Sequence, residues 1–242
     1  MKNNMISRFS VMKFCRNKVR RRRIALIAAV ALAVYGPLQV LALDVAHVTG
    51  QTGEFGTMNT TGAGTATGVT TIQQLSKGGV LDWSQFNLVQ GERANFLFNQ
   101  SGSTLFNLVA PTAGKSQIDG IINGNNGGNV WVVNPNGIAF GAGAQVNVGG
   151  LFSAVAGTLE NAVAIKGAIS GNASWDAPSF TMGGNVDVAS GAALAADRIA
   201  MAGRKVTIES GAALAGNTTL GAYRGGKVTI DDVNGGDRKS VV

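Results

Sequence analysis

The residues able to do chemistry are few and dispersed. One histidine, His47, is present in the chain. A Ser–His–Asp triad would have to use it, yet no Gly-x-Ser-x-Gly elbow accompanies it. His47 therefore reads as a satisfied or solvent-exposed side chain. Polysaccharide cleavage needs carboxyls positioned together on one face. Here Asp82, Glu92, Asp119, Glu160, Asp176, Asp187, Asp197 and Glu209 are scattered, and none recurs with a basic partner at a regular spacing. Coiling could still bring two together, which leaves a polysaccharide-active enzyme as an alternative reading. Asp231-Asp232 is a lone acidic pair of the kind found in solvated turns. The sequence contains no His or Cys cluster, no calcium-binding Asp repeat and no G-x-x-x-x-G-K-[ST] phosphate loop. The expectation is a non-enzymatic protein with no catalytic residue, metal or cofactor.

The elements that would carry these side chains are short strands. Gly is abundant at 35 residues and Pro scarce at 4, and long helical patterns are missing after the leader. "AQVNV" puts Val146 and Val148 on one face, "NAVAI" Val163 and Ile165, "NVDV" Val186 and Val188, and "KVTI" Val206 and Ile208. A second "KVTI" repeats the pattern at Val228 and Ile230. Period-two alternation between Gly, Asn and Ser marks half-buried strands.

The units also repeat. "VDVASGAALA" from Val186 returns as "VTIESGAALA" from Val206, so Ser190–Leu194 recurs twenty residues later as Ser210–Leu214. The two "KVTI" segments are offset by twenty-two residues. Leucine-rich repeats would need Leu and Asn ladders, and propeller blades need units about twice as long. A parallel β-helix fits best, with coils stacked about 4.8 Å apart and apolar side chains filling the interior. An antiparallel sandwich is the main alternative. Residues 43–80, rich in Gly and Thr, are expected to cap the first coil and block edge pairing.

The net charge of +7 is misleading. Nine basic residues precede residue 24 and no acid occurs before Asp44; the remainder carries 11 basic against 13 acidic side chains. A nucleic-acid reading based on the charge therefore fails. The basic run ending in Arg20–Arg23 and the apolar stretch Ile24–Val34 form an export signal, too short for a comfortable membrane span. Pro37 breaks the helix, and Val40-Leu41-Ala42 places cleavage after Ala42. The only cysteine, Cys15, lies in this leader, so the mature chain would have no disulfide and would rest on its core and backbone ladders.

The stretch "NVWVVNPNGIAFG" (Asn129–Gly141) sets the tetrapeptide Asn134-Pro135-Asn136-Gly137 between apolar runs. Pro135 presets φ for the second position of a β-turn, Asn136 tolerates the third and Gly137 suits the fourth. With "DWSQFNL" (Asp82–Leu88), "SQIDGII" (Ser116–Ile122) and "AQVNVGGL" (Ala144–Leu151), in that order, it resembles the N-terminal secretion domain of filamentous haemagglutinin-like exoproteins. The resemblance covers roughly residues 43–160. It implies a right-handed parallel β-helix and a two-partner secretion system. It also implies recognition by a dedicated Gram-negative outer-membrane transporter, a β-barrel with periplasmic binding domains. Asn134, Pro135, Asn136, Gly137 and Ile138 match the family's secretion motif, while Trp83, Phe86 and Trp131 match recurrent aromatic positions suited to packing. An upstream Asn-Pro-Asn-Leu motif found in some members is missing, with Phe106-Asn107-Leu108 a partial echo, which points to the high-molecular-weight adhesin branch.

The expected organisation is a signal peptide over 1–42, a secretion domain with its cap over 43–160, and further coils of a stalk over 161–236. The resemblance makes the full-length protein an adhesin or haemagglutinin, exported through the periplasm and held at the cell surface or released. Its C-terminal region would meet host or neighbouring-cell surfaces, and no nucleic acid is involved. The same domain heading a contact-dependent toxin or haemolysin is the alternative. Asp237–Val242 match one reading frame of a widely used sequencing-adapter DNA, so the natural protein is expected to continue past Gly236.

Overall fold

The computed structural model describes residues 42–223 and the backbone of 227–229. The leader, Asp231-Asp232, the segment Asp237–Val242 and the proposed cleavage bond's upstream partners before Ala42 lie outside the described residues.

The architecture is a parallel β-helix with three ladders of strands. One side stacks β3 (Val69–Gln74), β5 (Arg93–Phe98), β8 (Ile121–Gly124) and the first half of β11 (Gln145–Val155). The second side stacks β4 (Gly78–Trp83), β6 (Thr104–Val109), β9 (Asn129–Val133) and the second half of β11. Two longer strands, β15 (Ala193–Gly203) and β17 (Ala213–Ala222), turn the same corner as β11 and extend both ladders. The third side stacks β7 (Ser116–Ile118), β10 (Ile138–Phe140), β14 (Val186–Val188) and β16 (Val206–Ile208). All these pairings are parallel, which rules out the antiparallel sandwich.

The twenty-residue repeat is one coil. Val186 stands on Val206 and Ala193 on Ala213, so the same residue types recur in register. The corner needs a left-handed backbone each time, and Gly191 (φ 88°) and Gly211 (φ 93°) supply it without a Cβ penalty. Inside the helix, Leu105, Val130, Phe152 and Ile199 form one continuous stack of buried side chains.

The first coil is covered by β1 (Val48–Thr52) and β2 (Phe55–Thr61), which pair antiparallel with β4 and β3. These reversed strands take up the edges of β4 and β3 and interrupt the parallel stacking at this end of the β-helix. Residues from Val69 onward already stack in parallel, so the covering part of 43–80 is its first half.

Two sequence expectations are corrected. "NAVAI" is not a strand: it opens helix α1 (Ala162–Ser170). Ile165 and Ile169, four residues apart, are both buried, whereas Val163 is 86% exposed, which is helical rather than alternating spacing. The second "KVTI" does not continue the third ladder. Its strand β18 (Lys227–Thr229) pairs antiparallel with β13 (Ser179–Met182), which pairs with β12 (Gly157–Leu159).

Together β12, α1 and β13 form an excursion from the fourth coil that lies over the outside of the second ladder. That outer face is apolar. Val80, Phe106, Trp131, Leu151 and Val155 pack there against Leu159, Ile165, Ile169 and Phe180. Trp131 stacks on Phe180 with ring centroids 5.8 Å apart. Every residue of β9 is consequently buried, inward Val130 and Val132 in the helix core and outward Trp131 and Val133 beneath the excursion.

Candidate functional site at the Asn134–Ile138 corner

The motif residues form the corner between the second and third ladders. Asn134 directly follows the apolar strand β9, and the Gly137 N–H donates to the Asn134 carbonyl at 3.1 Å, closing the expected turn. Gly137 has φ 111°, and a β-carbon there would meet the Asn185 carbonyl oxygen of the next coil at 3.0 Å. Glycine is required on both grounds. Ile138, fully buried, begins β10 and drops its side chain into the core between Ser116 and Val186.

The two asparagines hold different things. Asn134 is fully buried. Its Oδ1 accepts from the Asn136 N–H at 2.9 Å, and its Nδ2 donates to the Gly114 carbonyl at 3.0 Å and to Ser116 Oγ at 2.9 Å. Asn136 is exposed. Its Nδ2 donates to the Pro111 carbonyl at 3.0 Å and the Ala113 carbonyl at 2.5 Å. The motif thus clasps the loop 110–115 of the coil before it. Lys115 Nζ spans past the turn to Asp187 Oδ2 at 2.6 Å, tying the coils on either side.

Beside the turn runs a groove of about 260 Å³, bordered by Pro111, Pro135, Leu108, Leu159 and Ala162. The Lys166–Asp82 ion pair, 2.7 Å and about one-third exposed, flanks it. Trp83, Phe86 and Trp131 are buried, as suits packing. Trp83 meets Phe86 edge-on at 5.3 Å and donates from Nε1 to Asn107 Oδ1 at 3.1 Å. Asn107 in turn donates to the Trp131 carbonyl at 3.0 Å. The partial echo Phe106-Asn107-Leu108 is therefore a strand whose amide bridges three coils inside the core.

The loop residues Pro111, Ala113 and Gly114, and Ser116 at the start of β7, were not singled out from sequence as partners of the motif. Only the coil length separating them from Asn134 could have pointed there, and it varies along the chain.

His47 lies in a short 3₁₀ turn (Val45–His47) and faces the Gln85 amide, 3.1 Å from Nε2. Asp82 and Asp187 are each taken up by a lysine. Among the described residues no three His, Cys, Asp or Glu side chains assemble into a metal site, and no helix is long and apolar enough to cross a membrane.

Comparison with known proteins agrees with this arrangement. Residues 45–240 match the family model of the TPS (two-partner secretion) secretion domain. The fold is similar to the crystal structure of the HMW1 secretion domain from Haemophilus influenzae, with a TM-score of 0.58 and 26% identity over 77% of this chain and 47% of that one. A stretch of 84 residues, 34% of this chain, is 37% identical to the heme/hemopexin-binding protein of Haemophilus influenzae Rd, of which it spans 9%. The chain belongs to the TPS secretion domain family.

Proposed function

We propose that this chain is the part of a secreted exoprotein that a cognate outer-membrane transporter recognises after passage into the periplasm. Recognition centres on the corner Asn134, Pro135, Asn136, Gly137 and Ile138. The observation that carries this reading is the division of labour between the asparagines. Both asparagines hold the neighbouring loop 110–115, Asn134 from a fully buried position through Gly114 and Asn136 from the surface through Pro111 and Ala113, with half-buried Pro135 between them. The result is a corner with Asn136 exposed, flanked by the Lys115–Asp187 and Lys166–Asp82 ion pairs and a largely apolar groove, a surface suited to a specific protein partner.

The domain's second role is to template folding. A chain emerging outside the cell has no ATP to draw on. Stacking each new coil buries apolar surface and completes a hydrogen-bond ladder, which favours outward movement. The domain itself is read as non-enzymatic, and the full-length protein as an adhesin or haemagglutinin acting on host or neighbouring-cell surfaces. Binding of the purified chain to the transporter's periplasmic domains tests the reading. Saturable binding weakened at least tenfold by Asn136→Ala supports it; equal binding by both chains contradicts it.

A further inference from the structure

Glu92 is a carboxylate with zero exposure and no ionic partner among the described residues. Its Oε2 accepts from the Val89 N–H at 3.0 Å and its Oε1 from the Gly64 N–H at 3.3 Å. Buried carboxylates are ordinarily matched by a cation, because two backbone donors do not replace the lost hydration. The surroundings say where a cation could come from. Glu92 sits one coil below Gly68, and a β-carbon on Gly68 would lie 3.2 Å from Glu92 Oε1. The carboxylate therefore rises through the space a side chain would fill, toward the hairpin loop 62–68. Ala42 packs on that same loop: its methyl would be 3.6 Å from a β-carbon on Gly64. The next residue, Leu43, is fully buried in the main core, and its carbonyl accepts from Thr70 Oγ1 at 3.0 Å.

We propose that leader removal after Ala42 makes the Leu43 α-ammonium the missing partner of Glu92, so that processing completes the cap over the first coil. The inference rests on the expected cleavage position. Hydrolysis of the Ala42–Leu43 peptide bond consumes one water: the hydroxyl stays on the Ala42 carboxyl, and the freed Leu43 amine takes up a proton. Before cleavage that nitrogen is a neutral amide, so it offers the carboxylate no counter-charge. After cleavage a charge-assisted pair forms in a site closed to water. The cap is thereby looser in the precursor than in the processed protein.

The test compares the secreted chain beginning at Leu43 with one in which a shifted cleavage site retains Leu41-Ala42, each with and without Glu92→Gln. The N-terminal mass establishes the cleavage point separately from the pairing. In the Leu43 chain, Glu92→Gln is expected to lower Tm by about 5–10 °C; in the extended chain it should change Tm by less than about 2 °C. Where Glu92→Gln does not fold, Glu92→Asp serves, with acylation of the α-amine followed by mass. Slow acylation in the native chain, accelerated about tenfold or more in the variant, supports the pair. An equal Tm loss in both chains, equal acylation rates, or a native N-terminus other than Leu43 overturns it.

Discussion

The side-chain amide of Asn136 reaches back one coil and donates to the carbonyl of Pro111 at 3.0 Å. Both groups are exposed, so water can replace the bond if it is lost. Asn136→Ala should therefore cost only about 0.5–1.5 kcal/mol and lower Tm by roughly 2–5 °C. Thermal unfolding followed by circular dichroism checks this, with the native spectrum retained.

Asn134→Ala should be far more damaging. It leaves the Gly114 carbonyl, Ser116 Oγ and the Asn136 N–H without their buried partner. A loss of about 2–4 kcal/mol is expected, seen as a lower urea midpoint at unchanged slope. Asn134→Asp should not rescue it, because an acceptor-only carboxylate would face the Gly114 carbonyl.

Two glycines should respond with opposite signs. Gly137→Ala combines a φ of 111° with a 3.0 Å approach to the Asn185 carbonyl, and should destabilise by at least about 1–2 kcal/mol. Gly167 lies within α1 with open space around it, so Gly167→Ala should stabilise by about 0.5–1 kcal/mol. Denaturant titration of both variants reads the contrast.

Trp131→Ala removes the ring that Phe106 and Phe180 pack on, 5.4 and 5.8 Å away. A loss of about 3–5 kcal/mol is expected. Its distinctive readout is hydrogen exchange. Protection should fall in α1 before it falls in the inner ladders, since the excursion is held by this outer core.

The coils were legible where alternation and identity coincided. Val186 and Val206, or Leu194 and Leu214, repeat in type and stack in register. The excursion was harder to read. "NAVAI" has small residues throughout, and Val163 with Ile165 fits a strand as well as Ile165 with Ile169 fits a short helix. The continuous apolar run Val130–Val133 carried the signal that one ladder is covered on both faces, but it could not say what covers it. At the site, the turn itself followed from Pro135 and Gly137. Its hold on the loop 110–115 did not, because that contact depends on coil length, which runs from nineteen residues between Arg198 and Asn217 to forty-eight between Gln145 and Ala193, where the excursion intervenes. The second "KVTI" shows the limit from the other side: its first three residues, Lys227–Thr229, join a different sheet, pairing with β13, while Ile230 lies outside the described residues.

Secretion of the chain in cells with and without the cognate transporter, comparing the native sequence with Asn136→Ala, tests the central claim most directly, since this variant should remain folded. The account predicts transporter-dependent export of the native chain and at least a tenfold loss of export in the folded variant. Undiminished export of Asn136→Ala would contradict the exposed corner's role in recognition and leave it a structural turn of the β-helix.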